Sequence, residues 1–490
     1  MTFKPSPYQQ NVFNFISNGS GHAVIEAVAG SGKTTTIVQA LEMIPANKSV
    51  LFLAFNKSVV DELKTKVPRH VEVSTYHSIG FRALRFTLRG RRINVDNKKS
   101  EKILKTLTFA SPQEFGMYAN HIKKLVSLAK SHGIGAIANP MSLDEIAQHH
   151  DLFNWYPDEL DFSKLKEYVE TVLSKSRDQR NIIDFDDMIY MASALQCNFK
   201  RYDYVFIDEA QDTSGVQKEL LPKMLRYRTG RLIAVGDSRQ AIYGFRGADS
   251  SSMAAIAELF DASKLPLSIC YRCAKSIVQE AQKVNDQILP FEKNGQGKVS
   301  YKDNYQPSDF NNKDAIFCLN AAPLVAMAFS LISKGIQPNV LGRDIGKGLV
   351  ALCNKWKRVT SVNALIDKLD STYIIAADKC NGDQSKIQSL SEQIECIKIF
   401  AGECPDNRVS TLVSIINNFF SETPDNRITL CTVHKSKGLE WHKVYILDPD
   451  KFNPSWVKLE WQQVQESNIE YVAITRAKEE LIYIDSDCWA

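Results

Sequence analysis

Hydrophobic and polar positions along the chain alternate between short apolar runs and amphipathic stretches. The run His22-Ala23-Val24-Ile25-Glu26-Ala27 is of strand length and meets a glycine-rich segment, Gly30-Ser31-Gly32-Lys33-Thr34. Beyond it, Ile37, Val38, Leu41 and Ile44 recur at helical spacing until Pro45 ends the pattern. Runs at 49–55 and 71–74 predict two more strands with a helix between them, and strands alternating with helices predict a parallel sheet. From about residue 86 to 176 the β pattern gives way to helical periodicity, with Ile122, Leu125, Val126 and Leu128 set among lysines. Strand-like runs resume at 204–207 and 232–235, so the first sheet is expected to continue across a helical insertion. Later runs at 339–341, 428–433, 444–447 and 481–484 predict a second α/β unit, interrupted between about 356 and 423 by a polar, partly helical stretch.

The expected organisation is therefore a first α/β domain over 1–86 and 177–261 with a helical insertion at 87–176, then a second over 262–356 and 424–490 with a reduced insertion at 357–423. Length agrees, since 490 residues at about 150 per domain make three or four units. With 44% hydrophobic and 24% charged residues the usage is globular, which excludes a collagen-like or largely disordered chain. Lys plus Arg (60) against Asp plus Glu (56) permits nucleic-acid binding without demanding it, so any basic surface must be local. Ten sparse cysteines, and an N-terminus Met1-Thr2-Phe3-Lys4-Pro5 that leads into polar residues, predict a reducing intracellular compartment. The longest apolar stretch, 321–332, is shorter than the ~18 residues that span a bilayer, so no membrane segment is expected. The chain stops at Trp489-Ala490, soon after the last predicted strand, so no appended nuclease or interaction tail is expected.

A phosphate loop needs a tight glycine turn with backbone N–H groups facing the anion, a lysine for the outer phosphates and a hydroxyl for Mg²⁺. Ala27-Val28-Ala29-Gly30-Ser31-Gly32-Lys33-Thr34 has these parts, with Ala27 where the first glycine of the pattern usually stands. A dinucleotide fold fits less well, because Gly30-Ser31-Gly32 lacks the third glycine. The complementary half of such a site is a carboxylate at a strand end beside a base, as in Ile207-Asp208-Glu209-Ala210-Gln211-Asp212. Together they predict ATP hydrolysis with Mg²⁺. GTP is disfavoured because Asn56-Lys57-Ser58-Val59 has valine where guanine recognition needs an acid, and no Leu-Ser-Gly-Gly-Gln transporter signature occurs. Cys270 and Cys273 form a lone pair without a second pair at metal spacing, and read as buried free thiols. The stretch Arg82, Arg85, Arg89, Arg91, Arg92, Lys98, Lys99 and Lys102, against Asp96 and Glu101, reads equally as a phosphate-tracking patch or as a solvated helix face.

These residues sit in a series that resembles the superfamily 1 helicases of the UvrD/Rep/PcrA group almost end to end. Pro7-Tyr8-Gln9 resembles the adenine-reading glutamine motif, with Gln10 as the alternative register. The segments 52–57 and 74–78 resemble the first DNA-contacting motifs, and Val235-Gly236-Asp237-Ser238-Arg239-Gln240-Ala241-Ile242-Tyr243-Gly244-Phe245 resembles the motif that links γ-phosphate to DNA. Tyr271-Arg272, the segment 432–440 and the segment 471–478 complete the set. The resemblance implies a two-lobed RecA-like α/β motor in which Ala29, Gly30, Ser31, Gly32, Lys33, Thr34 and Thr35 hold nucleotide, Thr34 and Asp208 hold Mg²⁺, and Glu209 is the base. It further implies that Gln240 senses γ-phosphate, Arg272 and Arg476 act as arginine fingers, Tyr271 faces adenine and Glu440 lies near the ribose. Phe55, Asn56, His77, Tyr243, Phe245 and His434 would contact DNA, the aromatics by base stacking.

An arginine often stands at the Thr35 position in this group, a tryptophan at Phe245, and an arginine at Leu319 in related patterns. The sequence after Gln240 matches the 3′→5′ subgroup. Single-stranded DNA and 3′-tailed duplex are the implied partners, with room for a protein loading partner and with a monomer or weak self-association expected. Localisation is then cytoplasmic (at the nucleoid, or in host cytoplasm for a viral protein), or nuclear in a eukaryote. The rival readings are an ATP-switched, DNA-bound remodelling or assembly factor that does not unwind, and an RNA helicase.

Overall fold

The structure, a computed structural model, describes residues 4–89, 92–150, 152–155, 160–242, 251–356, 358–379, 384–420, 427–454, 457 and 459–486. The chain divides into two compact units, Met1–Ser268 and Ile269–Ala490.

The first unit is built on six strands: β1 (Ala23–Ala27), β2 (Val50–Ala54), β3 (Val71–Thr75), β4 (Tyr204–Ile207), β5 (Arg231–Gly236) and β6 (Ser263–Leu267). All pair in parallel, in the order β3-β2-β4-β5-β1-β6. Side chains alternate between two buried faces. Ile25, Phe52, Phe206, Ile233 and Val235 pack with Val12, Phe13, Ile37 and Leu41 on one side. Val24, Leu51, Leu53, Val205 and Leu232 pack with Ile79, Leu220, Leu221 and Ile256 on the other. Burial on both faces explains why these strands read as apolar runs rather than as alternation.

β6 falls beyond the expected domain boundary at 261/262. It pairs with β1 over its whole length, so the first unit keeps residues to 268. Its sequence Ser-Lys-Leu-Pro-Leu carries a lysine and a proline, which an edge strand tolerates and a pattern search passes over. Between β3 and β4 lies a helical body formed by the helices Lys99–Leu104, Pro112–His132, Leu143–His149 and Phe162–Asp178. Its core also takes in Ala83 and Leu84 on one side of the segment and Ile183, Tyr190 and Met191 on the other, so it extends past both expected insertion limits.

The second unit holds β7 (Lys298–Lys302), β8 (Ala315–Cys318), β9 (Asn339–Leu341), β10 (Thr429–Thr432), β11 (Trp441–Leu447) and β12 (Ala477–Ile484), parallel throughout in the order β7-β12-β11-β8-β10-β9. One face is covered by helices Ala321–Ser333 and Arg343–Cys353, together with Val362–Lys379, Gln384–Gly402 and Val409–Phe419 from the expected insertion. The insertion segment, expected to be partly helical, forms three helices and shares the core of this sheet through Leu365, Leu369, Ile397, Phe400, Leu412 and Ile416. Two parallel-sheet units of this kind are RecA-like α/β domains. Among the described residues no helix is long and apolar enough to cross a membrane.

Candidate functional site

A parallel sheet gathers the loops that follow its strands at one edge, which is where ligands of open α/β sheets bind. In the first unit those loops carry the expected residues. After β1, Gly30 (φ 67°) and Gly32 (φ 76°) take left-handed conformations that other residues adopt only with strain. Gly32 caps the helix Lys33–Glu42 without a side-chain hydrogen bond, leaving the helix start to its backbone N–H groups. Ser31 is 2% exposed and its Oγ is buried without a hydrogen-bond partner, while Ala29 is fully buried. Uncapped backbone donors and an orphaned hydroxyl fit a phosphate group. Thr34 is the second residue of the same helix and is partly exposed, and Thr35 faces solvent.

Across this loop, Lys33 Nζ lies 3.1 Å from Glu209 Oε1. Burial works against the ammonium, but the field of Glu209, then Asp208 and Asp237, outweighs it and raises the Lys33 pKa. Asp208 is pushed up to about 6 by desolvation and then by Glu209, and Asp237 to about 6 by burial. Lys33 thus lies in the field of three carboxylates, a local excess of negative charge, and among the described residues no three acid or histidine side chains converge on one metal position. Glu209 itself adopts a left-handed backbone (φ 51°, ψ 45°), strain of a kind found at functional sites. Gln211 donates to Glu209 Oε2 and accepts from the Asp237 N–H at 3.1 Å, and Gln240 Nε2 donates to Asp237 Oδ2 at 2.6 Å. A continuous hydrogen-bonded chain therefore joins Gln240 to Glu209.

Gln9 is engaged in structure. It forms a capping box with Ser6 and donates through Nε2 to Thr36 Oγ1 at 3.0 Å, which ties the first helix to the phosphate-loop helix.

The loops after β2 and β3 carry the expected nucleic-acid contacts. Asn56 caps the helix Lys57–Lys64 by accepting from the Val59 N–H at 2.9 Å, and Thr75 caps Tyr76–Thr87, which sets His77 in its first turn. Phe55 is 43% exposed. His77 stacks on Phe185, ring centroids 3.8 Å apart and planes 21° from parallel, and burial lowers its pKa to about 4. At Gly80 a Cβ would lie 2.1 Å from the Met188 carbonyl oxygen, so only glycine lets the helix Tyr76–Thr87 approach the helix Asp187–Ala194 that follows Phe185. A hollow of about 670 Å³ is lined by Phe55, His77 and Phe185 and also by Asp208, Glu209 and Asp212. Aromatic faces and phosphate-side acids therefore share one cavity. Phe185, 52% exposed, and Asp237 were not singled out from sequence. The available signals were an aromatic inside an acidic run, Asp184-Phe185-Asp186-Asp187, and a second acid at a strand end.

Among the described residues the basic stretch is divided between the interior and surface ion pairs. Lys99 is 1% exposed and ion-paired inside the helical body, Lys102 pairs with Asp96, and Arg82 pairs with Glu72. Tyr243, Phe245 and Arg91 lie outside the described residues.

The second unit assembles its own cluster. Arg272 Nε and Lys478 Nζ each lie 2.6 Å from a different oxygen of Glu440, and the Arg272 guanidinium donates to the Thr475 carbonyl at 3.3 Å. Arg476 is 1% exposed and turns inward, donating to the carbonyls of Val472 (3.1 Å) and Leu439 (3.3 Å). Tyr271 packs against Phe291, with ring centroids 4.8 Å apart. His434 lies in the short helix Val433–Ser436. Cys270 and Cys273 are buried and free, with the Cys273 thiol 3.6 Å from the Thr475 carbonyl.

A family model for the UvrD/REP helicase N-terminal domain matches residues 8–261. The chain belongs to this family. A UvrD-like helicase C-terminal domain model matches 344–487. The chain is 23% identical to F-box DNA helicase protein 1 of Schizosaccharomyces pombe, over 94% of this chain and 55% of that protein. It is 26% identical to the ATP-dependent DNA helicase Rep of Buchnera aphidicola subsp. Schizaphis graminum, over 56% of the chain and 43% of Rep, and 26% identical to the ATP-dependent DNA helicase PcrA of Bacillus subtilis, over 57% and 39%. The chain spans about half the length of the curated relatives it matches.

Proposed function

We propose that the protein is an ATP-driven DNA helicase that moves 3′→5′ on single-stranded DNA and separates duplex. The observation that carries this reading is the shared hollow, in which Phe55, His77 and Phe185 lie in one cavity with Asp208 and Glu209. A change at the phosphate side then reaches the stacking surface through the same loops. The relatives' printed names, DNA helicases in each case, support the substrate. Polarity rests on the residues after Gln240.

In this reading Gly30, Ser31, Gly32 and Lys33 hold the phosphates, Glu209 takes the proton of the attacking water, and Gln240 orients that water through its chain to Glu209. Thr34 and Asp208 would hold Mg²⁺, which would supply charge neutralisation at the phosphate oxygens. Arg272 and Arg476 supply further cations to the transferring group. In the second unit Arg476 donates to carbonyls and Arg272 pairs with Glu440.

The test is the ATP hydrolysis rate with and without single-stranded DNA, with Lys33→Ala as control, followed by displacement of a 3′-tailed duplex. Strong stimulation, lost in the control, together with displacement is the expected result. Hydrolysis without displacement over a range of tail lengths would favour the ATP-switched remodelling factor. Stimulation by RNA alone would favour an RNA helicase.

A further inference from the structure

The acidic run that carries Phe185 is held by a set of buried charges that hydrolysis does not use. Lys130 Nζ lies 2.7 Å from Asp184 Oδ2 and 2.9 Å from Asp187 Oδ1, and Lys99 Nζ lies 2.6 Å from Asp187 Oδ2 and 2.7 Å from the Ser176 carbonyl. Both lysines are 1% exposed and Asp187 is fully buried. The turn is closed on itself, with the Asp187 N–H donating to Asp184 Oδ1 at 2.8 Å and the Asp184 N–H to Asp187 Oδ2 at 3.3 Å. Ser127 Oγ donates to Asp186 Oδ2 at 2.8 Å, and Ser100 Oγ to Asp184 Oδ2 at 2.9 Å. Three helices of the helical body, Lys99–Leu104, Pro112–His132 and Phe162–Asp178, thus grip the aspartates on either side of Phe185. The phenylalanine alone points outward, onto His77 and into the hollow.

Such an arrangement is costly as mere packing, since buried ion pairs are commonly replaceable by apolar side chains. What it achieves is to fix the backbone on either side of one exposed aromatic. We infer that Lys130, backed by Lys99, is a positioning residue for nucleic-acid stacking, holding the turn 184–187 so that Phe185 and His77 form one rigid wall of the strand-binding slot. This rests on the reading of the Phe55, His77 and Phe185 hollow as a nucleic-acid site. Rigid aromatic placement strengthens stacking because no ordering remains to be done on binding.

The experiment is a double-mutant cycle on the full chain, read by fluorescence anisotropy of a labelled oligo-dT strand at fixed salt. Phe185→Ala is expected to weaken binding by about five- to tenfold, the scale of one lost base stack. Lys130→Met and the milder Asp184→Asn are expected to weaken it by about threefold or more, and to add less than about 1.5-fold in the Phe185→Ala background. Lys130→Met and Asp184→Asn also raise the strand concentration that half-maximally stimulates hydrolysis, with the saturating rate held within about twofold. Should Lys130→Met fail to fold, Asp184→Asn decides alone. Unchanged binding in that variant, or the same loss with and without Phe185, overturns the inference and leaves the slot standing. Unchanged binding in Phe185→Ala overturns the slot and the inference with it.

Discussion

Lys33 and Lys130 both sit against carboxylates inside the first unit, but their surroundings are built to opposite ends. Lys130 pairs with Asp184 and Asp187 and Lys99 with Asp187, so two cations answer three acids, the third of which, Asp186, accepts from Ser127 Oγ and is pushed by burial toward its neutral form. Lys33 stands alone against Asp208, Glu209 and Asp237, and two of those acids are driven up to about 6. Near balance makes a fixed structural joint, whereas an excess of acid leaves a place for a cation and for an anion that brings one. A buried lysine in an acidic setting is therefore uninformative until its neighbours are counted.

The largest test of that contrast crosses activity with stability. Lys33→Met should lower ATP turnover by roughly 10² to 10³-fold or more, the cost of removing a preorganised electrostatic donor. Glu209→Gln should lower it by about 10² to 10⁴-fold, the range of a general base, with nucleotide binding retained in a fluorescent-ATP titration. Neither should lower the melting temperature much. Lys130→Met should reverse the order, destabilising the ligand-free protein by about 3 to 5 kcal/mol by stranding buried carboxylates. Comparable melting losses for Lys33→Met and Lys130→Met would break the comparison.

A smaller effect concerns pH. Asp237 titrates near 6 in the folded chain against an ordinary value of 3.8. The folded state therefore binds the proton more tightly than the unfolded state between those values. Its contribution is fully present below about pH 4 and is lost as pH rises through 6. Asp237→Asn removes this dependence. Relative to wild type it should be stabilised by on the order of 1 to 3 kcal/mol at pH 7.5, with the difference vanishing near pH 4. Mg²⁺ added to the wild-type protein should narrow the same gap, and a gap that ignores both pH and Mg²⁺ would remove Asp237 from the acidic excess. Denaturant unfolding across the range measures all of this.

Much of the sheet was legible because strands buried on both faces become apolar runs, as in Val50–Ala54 and Tyr204–Ile207. The three strands of the six-stranded sheets that were missed have distinct reasons. Ser263–Leu267 and Lys298–Lys302 lie at sheet edges and carry lysines that solvent accepts, while Ala315–Cys318 is central but only four residues long, with no alternation to distinguish it from a helix segment. The phosphate-loop residues could be read from spacing because they are neighbours in sequence. The stack of His77 on Phe185 could not, because it joins residues more than a hundred positions apart, beside the place where Gly80 passes under Met188. Lys99 misled for a related reason, since a lysine among surface lysines gives no sign that its partners, Asp187 and the Ser176 carbonyl, arrive from two other helices.

Gln9 gives the smallest and most discriminating effect. The resemblance casts it as an adenine reader, yet its Oε1 accepts from the Ser6 N–H and its Nε2 donates to Thr36 Oγ1, whose hydroxyl in turn bonds the Gly32 carbonyl at 2.9 Å. The side chain thus braces the phosphate loop from behind, and that bond does not require a base. Gln9→Ala should cost about 1 kcal/mol of stability through the lost capping box. If bracing is its main role, the KM values for ATP and GTP should rise together by a few-fold, because the loop that both triphosphates share is loosened. Adenine reading would instead raise the KM for ATP alone. Paired KM measurements on wild type and variant separate the two, and an ATP-only effect would show that Gln9 exchanges its Thr36 bond for the base when nucleotide binds.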